Sequence, residues 1–208
     1  MINLIGRLKQ RLENPLPGTS AHERMLPRIP GGSRVKFKYS EEPRKGAVLI
    51  LLYEYVDQIW FPLIQRPQYE GVHSGQIALP GGRHEEEDND LVATAIREAK
   101  EEVGVDPESI EVIGQLSEFM VTASNHLVLP VIGFTTNKPN FIPDPYEVDE
   151  VIEASLDELL DETFIKETQI TTSGGYRLHS PYFDVKGKVV WGATAMMLSE
   201  FVQIIKEL

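Results

Sequence analysis

The segments Leu79-Pro80-Gly81-Gly82, Glu85-Glu86-Glu87-Asp88 and Arg97-Glu98-Ala99-Lys100-Glu101-Glu102-Val103-Gly104-Val105 decide how this chain is read. From about Leu91 to Val103 the pattern predicts a helix, and Gly104 is the residue type that stops one. Glu98 and Glu102 stand four apart and share one face of that helix; Glu101, three from Glu98, borders the same face. Like charges so spaced disfavour an isolated helix by roughly 0.2–0.5 kcal/mol per pair, so something is expected to offset the repulsion. A hard divalent cation does so, since such ions take oxygen ligands and sit between carboxylates and phosphates. Arg97 is placed to brace a loop carboxylate such as Asp88 through a bidentate pair. The Gly81-Gly82 pair lets the backbone pass close to the helix or to a ligand. An acidic helix alone is ordinarily a solvated face; its conjunction with the Gly-Gly turn, the acidic loop and Arg97 singles it out.

Upstream of this stretch, Ala47 to Tyr53 is apolar on both faces, as a central strand would be, and Ile59 to Ile64 follows as its pair. Residues 2 to 14 carry Ile2, Leu4, Ile5, Leu8 and Leu12 near helical spacing, ended by Asn14-Pro15 and Pro17-Gly18. Between Pro15 and Pro43 the chain is rich in Pro, Gly and basic residues, with a strand-like alternation only at Val35 to Tyr39, and it predicts a wrapping arm. Downstream, strands are expected at about 110–119, 127–135 and 148–154, a short helix at 156–160, and a C-terminal helix over 192–208. The division expected is residues 1–45 as an N-terminal helix and basic arm packed on a domain of residues 46–208. The order of elements predicts an α/β (α+β) protein with a mixed sheet between helices.

Composition narrows the function. The chain has 208 residues and no cysteine, which excludes disulfides, thiolate zinc sites and cysteine nucleophiles. Its net charge of −12 argues against general binding to nucleic acid or to an anionic membrane. Residues 1–45 hold ten Lys/Arg against four Asp/Glu, leaving ten against 28 for the rest: an acidic body behind a basic leader. The apolar runs are too short to cross a bilayer, and the N-terminus has no continuous apolar core of a signal peptide. A cytoplasmic protein is therefore expected.

Gly82 through Val105 resembles the Nudix box, G-x5-E-x7-R-E-U-x-E-E-x-G-U with U aliphatic. Arg97-Glu98, Glu101-Glu102, Gly104 and Val105 match it position by position. The loop acid is Asp88 rather than Glu, eight residues separate it from Arg97 instead of seven, and the first aliphatic position is Ala99. The extra residue falls in the loop, where length is tolerated. Leu63-Ile64-Gln65-Arg66-Pro67 and His73 to Gly82 are similar to the additional signature of the coenzyme A pyrophosphatase branch, roughly L-L-T-x-R-[SA]-x3-R-x3-G-x3-F-P-G-G, as are the Asp88 loop and Trp191-Gly192-Ala193-Thr194-Ala195. Gly71 stands in place of that signature's second arginine and Leu79 in place of its phenylalanine.

The resemblance implies the Nudix fold, a mixed sheet sandwiched between helices, and Mg²⁺- or Mn²⁺-dependent hydrolysis of a phosphoanhydride in a nucleoside diphosphate derivative. Coenzyme A or an acyl-CoA is the implied substrate, giving 3′,5′-ADP and (acyl-)4′-phosphopantetheine. ADP-ribose or a dinucleotide polyphosphate is the alternative, favoured by Gly71, and a non-catalytic nucleotide-sensing module is the other. Glu98, Glu102 and Glu101 are the implied metal ligands. Arg97 is expected to act in the catalytic set, with the base drawn from Glu101, Glu147 and Glu150. Arg66, Gly81 and Gly82 are expected to meet substrate, although Arg66 also suits a plain ion pair. The basic arm, including Arg24, Arg28, Arg34, Lys36 and Lys38, is a second candidate for phosphate contact. The partner expected is a small nucleotide, with neither nucleic acid nor membrane, and the resemblance admits a homodimer. The five histidines lack metal-ligand spacing, and Trp191 reads more readily as core than as a base-stacking platform.

Overall fold

The computed structural model describes residues 2–30, 39, 41–70, 73–172 and 174–208. Its centre is the strand β1 (Arg44–Tyr55), whose double-sided apolar character puts it inside the sheet. β1 runs antiparallel to β2 (Gln58–Gln65) and parallel to β7 (His126–Thr135). β2 also pairs with the two-residue β3 (Ile77–Ala78) and with β8 (Glu150–Ser155). β4 (Gly81–Arg83) lies against the start of β1. Two strands add to β7: β6 (Phe119–Val121) pairs with residues 126–128 and β5 (Glu111–Gln115) with residues 131–134. Pro130, which has no N–H to donate, falls at the gap between those ladders and accepts from Leu116 N instead. The single strand expected at 110–119 is thus two, separated by residues 116–118, and the first carries a register shift between Val112 and Gly114.

Alternation along β1 divides the core into two layers. Ala47, Leu49 and Leu51 face α3 (Leu91–Val103), where Ala95, Ala99 and Val103 pack on them. Ile50 and Leu52 face α5 (Gly192–Lys206), which contributes Leu198, Phe201, Val202 and Ile204. The small Ala95 and Ala99 let α3 lie close to the sheet. Asp90 caps its start, accepting from Ala93 N at 2.8 Å, and Gly104 ends it at φ 71°. α4 (Leu156–Leu160) follows β8.

A second, three-stranded sheet of β9 (Ile165–Thr171), β10 (Arg177–Val185) and β11 (Lys188–Trp191) joins the α5 layer through Phe183, Val185 and Val190. The N-terminal helix α1 (Ile2–Leu12) and the short α2 (Thr19–His22) pack on the same layer, with Leu8 and Met25 fully enclosed. Arg11 pairs with Glu207 at 2.7 Å and Lys9 pairs with Glu111. The strand expected at Val35 to Tyr39 lies, apart from Tyr39, outside the described residues. Among the described residues no helix is long and apolar enough to cross a membrane.

Candidate active site

β1, β4 and α3 bring the glycines and carboxylates together. β4 lays Gly81 and Gly82 opposite Val48 and Ala47, under the middle of α3. A Cβ on Gly82 would overlap the Glu98 carboxylate, and one on Gly81, whose φ is 153°, would strike the backbone of β1. The two glycines therefore make the floor on which Glu98 and Glu102 rest.

Glu102 is 1% exposed. Its Oε2 accepts from Gly81 N at 2.7 Å, and Oε1 lies 3.5 Å from Arg66 Nη2, which also donates to the Gly81 carbonyl at 3.1 Å. Burial pushes the Glu102 carboxyl up to about 7, helped by the charges of Glu98 and Glu147 and opposed by Arg66 and the Gly81 N–H. Glu98 is raised as well, first by burial, with Arg97 opposing and Glu101 and Glu147 adding repulsion.

Arg97 ties the loop to the helix. Its Nε and Nη2 donate to the two oxygens of Asp88 at 2.9 and 3.0 Å, the bidentate brace expected from the sequence. Nη1 donates to Glu98 at 3.0 Å and Glu101 at 2.9 Å, and Nη2 also reaches the Arg83 carbonyl at 2.9 Å. The guanidinium holds Asp88 well below the usual carboxylate range. Thr94, which donates to Asp88 at 2.8 Å, and His84, which meets Thr94 Oγ1 at 3.0 Å, complete the support. In the sequence His84 shows only that it lacks metal-ligand spacing, and Thr94 is marked by its place in the segment 94–98, similar to the coenzyme A branch, one turn after the cap residue Asp90.

The acidic loop after β7 folds back on the end of α3: Ile142 N donates to the Val103 carbonyl at 2.9 Å and Asp144 N to that of Glu102 at 3.0 Å. This brings Glu147 close enough for its charge to raise both Glu98 and Glu102. Glu150 is placed elsewhere. Val151 packs in the α3 layer and Ile152 in the α5 layer, so alternation directs Glu150 to the face away from the box. There it pairs with Lys188 at 2.6 Å, beside Gln65. That face opens on a cleft of 660 Å³ edged by Tyr69, Gln76, Lys188 and Trp191, so Trp191 lines a cleft rather than sitting enclosed in the core. In the basic arm, Arg24 is taken up by Glu162 at 2.9 Å and Arg28 is bridged through its backbone to His179, while Arg34, Lys36 and Lys38 lie outside the described residues.

Among the described residues no three acidic or imidazole groups already stand close enough to grip an ion. Glu98 and Glu101 are drawn onto Arg97, and Glu102 onto Gly81 and Arg66. The donor chemistry nevertheless fits a hard divalent cation: every donor is a carboxylate oxygen, and Glu98 and Glu102 are half-relieved anions whose burial and mutual repulsion such a charge would offset.

The description "NUDIX domain" belongs to the family whose model matches residues 43–172. Nudix hydrolase 15, mitochondrial, of Arabidopsis thaliana is 39% identical over 176 residues, which are 80% of this chain and 60% of that protein. Nudix hydrolase 22, chloroplastic, of the same plant is 36% identical over 172 residues, 78% of this chain and 56% of that protein. The chain thus spans well under two thirds of the length of these two relatives. A Pectobacterium atrosepticum protein described as an uncharacterized Nudix hydrolase, NudL, is 33% identical over 136 residues, 65% of this chain and 69% of its own. Among solved structures, the C. elegans Ap4A hydrolase binary complex superposes with a TM-score of 0.54 at 15% identity, covering 79% of this chain and 99% of its own. The M. smegmatis Nudix hydrolase RenU superposes at 0.57 and 15%, covering 88% and 94%. These two likenesses are of fold.

Proposed function

Since the chain belongs to the NUDIX domain family, we propose that it hydrolyses the phosphoanhydride of a nucleoside diphosphate derivative, and that this derivative is coenzyme A or an acyl-CoA. The observation that carries the hydrolytic reading is the pair of buried carboxylates, Glu98 and Glu102, on the Gly81-Gly82 floor, with the charge of Glu147 acting on both. Similarity of the segment from Leu63 to Gly82 to the coenzyme A pyrophosphatase signature supports the substrate.

Glu98, Glu102 and Glu101 would hold Mg²⁺ or Mn²⁺, which supplies neutralisation of phosphate charge and acidification of the attacking water. Arg97 keeps Asp88 and the loop against α3, so the carboxylates stay on one side of the substrate. Glu147, exposed and without an ion-pair partner among the described residues, is the general base that takes the proton of the attacking water. Glu101 is spoken for by Arg97 and Glu150 by Lys188. The water oxygen bonds to one phosphorus, the bridging P–O bond breaks, and its electron pair leaves with the departing phosphate, whose charge Arg66, held beside Glu102 and the Gly81 carbonyl, would offset. From coenzyme A the products are 3′,5′-ADP and 4′-phosphopantetheine.

Gly71, where the signature carries an arginine, favours a second reading in which ADP-ribose or a dinucleotide polyphosphate is preferred. A panel of coenzyme A, dephospho-coenzyme A, ADP-ribose and diadenosine tetraphosphate, each with Mg²⁺ and with Mn²⁺ and with products identified, separates them. Release of 3′,5′-ADP with coenzyme A as the best substrate is expected. Faster turnover of ADP-ribose or the dinucleotide transfers the assignment to the second reading. Tight binding without turnover of any nucleotide would leave a sensing module.

A further inference from the structure

We infer that Glu153, acting with Tyr53 and Lys138, is a positioning residue for the hydrolytic step: it staples the loop over 136–149 and so holds Glu147 beside Glu98 and Glu102, an inference that rests on the reading of Glu147 as the general base. The placement follows from strand alternation. Ala47, Leu49 and Leu51 of β1 and Val151 of β8 pack in the α3 layer, so Tyr53 and Glu153, the next residues in alternation, emerge on that same face. β2 runs between their strands, with Trp60 opposite Tyr53 and Pro62 opposite Glu153. Two long polar side chains close the gap across it: Tyr53 Oη donates to Glu153 Oε2 at 2.5 Å. Lys138, just past the end of β7, donates to Glu153 Oε1 at 2.9 Å and lies 2.7 Å from Oε2. Its ammonium also sits 4.2 Å from the centre of the Tyr55 ring. The beginning of the loop is thereby tied to the strand into which its end runs.

The loop buries little of its own. Ile142 and Tyr146 are 65% and 88% exposed, and its apolar anchors are Phe141, partly buried, and Val148. A segment with so few buried contacts opens at low cost unless something else ties it down. Phe141 itself lies against the Tyr53 ring, with centroids 5.8 Å apart, so this contact falls on the staple too. Between these points the loop meets α3 through its backbone, where the Ile142 and Asp144 amides take up the Val103 and Glu102 carbonyls that the end of the helix leaves over. The approach is close: a Cβ on Gly104 would stand 2.9 Å from the Ile142 carbonyl oxygen. The Glu147 amide donates to the Asp144 carbonyl at 3.3 Å, so the docking of Asp144 decides where the Glu147 carboxylate stands. The chemistry of the staple suits a tether. A phenol and a carboxylate on a face lined by apolar groups are costly unless satisfied, and apolar side chains in their place would have nothing to offer a loop cation. Burial pushes the Glu153 carboxyl up, but the hydrogen bonds of Lys138 and Tyr53 outweigh it and hold the group below its ordinary range, so it stays an anion. The Tyr53 hydroxyl is raised, by burial first and then by Glu153, and so stays a donor.

The test reads the loop and the chemistry separately in the full chain: amide hydrogen exchange in chelator, where no hydrolysis takes place, and kcat and KM with the best substrate of the panel. In Lys138→Met, exchange at the Ile142 and Asp144 amides is expected to rise at least about fivefold while α5 exchanges as in wild type, which separates a loosened loop from general destabilisation. kcat is expected to fall at least about fivefold, with KM within about twofold, as for a displaced reacting group. Lys138→Arg, which keeps the ion pair, is expected to restore most of both readouts. Lys138→Met/Glu153→Gln is expected to do no worse than the worse single variant, because both break one link. Unchanged exchange at Ile142 and Asp144 overturns the inference, as does a double variant that loses the product of the two single effects. Wild-type kcat in Lys138→Met also overturns it where Glu147→Gln is inactive. Full turnover in Glu147→Gln itself sinks the base reading instead, and exchange then still decides whether the staple holds the loop.

Discussion

Gly82 and Glu98 interlock so closely that one methyl group decides the site. Its added Cβ would overlap the carboxylate, so Gly82→Ala is expected to lower kcat by at least about tenfold, the effect of slightly misplacing a reacting group, while circular dichroism and Tm stay near wild type because the strand itself is unstrained. Glu102→Gln separates chemistry from folding more sharply. A buried anion among other anions opposes folding, and a neutral amide of the same shape does not. Turnover is expected to disappear with every substrate, while the metal-free Tm equals or exceeds that of wild type. A metal-free Tm several degrees below wild type would show that the Glu102 hydrogen bonds to Gly81 and Arg66 outweigh its desolvation. Arg97→Lys keeps the charge but loses the fork that grips both oxygens of Asp88, so it is expected to behave as a loss of function rather than as a conservative exchange.

At the scale of elements, the N-terminal segment is latched to α5 through Glu200, which is fully buried. Its oxygens accept from Gly18 N at 2.9 Å, Ser117 Oγ at 2.7 Å and His22 Nε2 at 2.9 Å, and neighbouring Ser199 donates to the Ala21 carbonyl at 2.8 Å. Glu200→Ala strips several buried partners at once, and a loss of about 3–5 kcal/mol is expected in urea unfolding. Burial pushes the Glu200 carboxyl up, but the hydrogen bonds of His22, Ser117 and Gly18 outweigh it and hold the group below its ordinary range. A depressed acid contributes stability that is complete above its unfolded pKa, about 4.3 for Glu, and is lost as pH falls through the lower folded value. The Tm difference between wild type and Glu200→Gln is therefore expected to be constant near neutrality and to narrow below about pH 4.3. A gap independent of pH would show that the latch acts through shape alone.

For the whole molecule, the site carboxylates are an electrostatic load that a divalent cation relieves, and binding should register in global stability. At a free metal concentration 100 times Kd the folded state gains about 2.7 kcal/mol, or roughly 5–10 °C in Tm for a chain of this size. That shift is expected with Mg²⁺ or Mn²⁺ in the wild type and is expected to vanish in Glu98→Gln/Glu102→Gln.

What the sequence by itself determined is local. The helix from Leu91 to Val103, its stop at Gly104, the shared face of Glu98 and Glu102, and the buried character of Ala47 to Tyr53 all follow from periods of 3.6 and 2 and from end residues within a few positions of each other. The strands β9 to β11 were not legible in this way, because one side of that sheet meets water and β9 reads Ile-Lys-Glu-Thr-Gln-Ile-Thr, polar at most positions. Tertiary structure alone decided the rest of the site. Glu147 and Glu150 are three residues apart in one acidic stretch, yet a fold-back onto α3 brings one to the box and strand alternation turns the other to Lys188. Register between strands distant in sequence, as where β1 meets β4 on one side and β7 on the other, is set by which faces are buried, which no local pattern encodes.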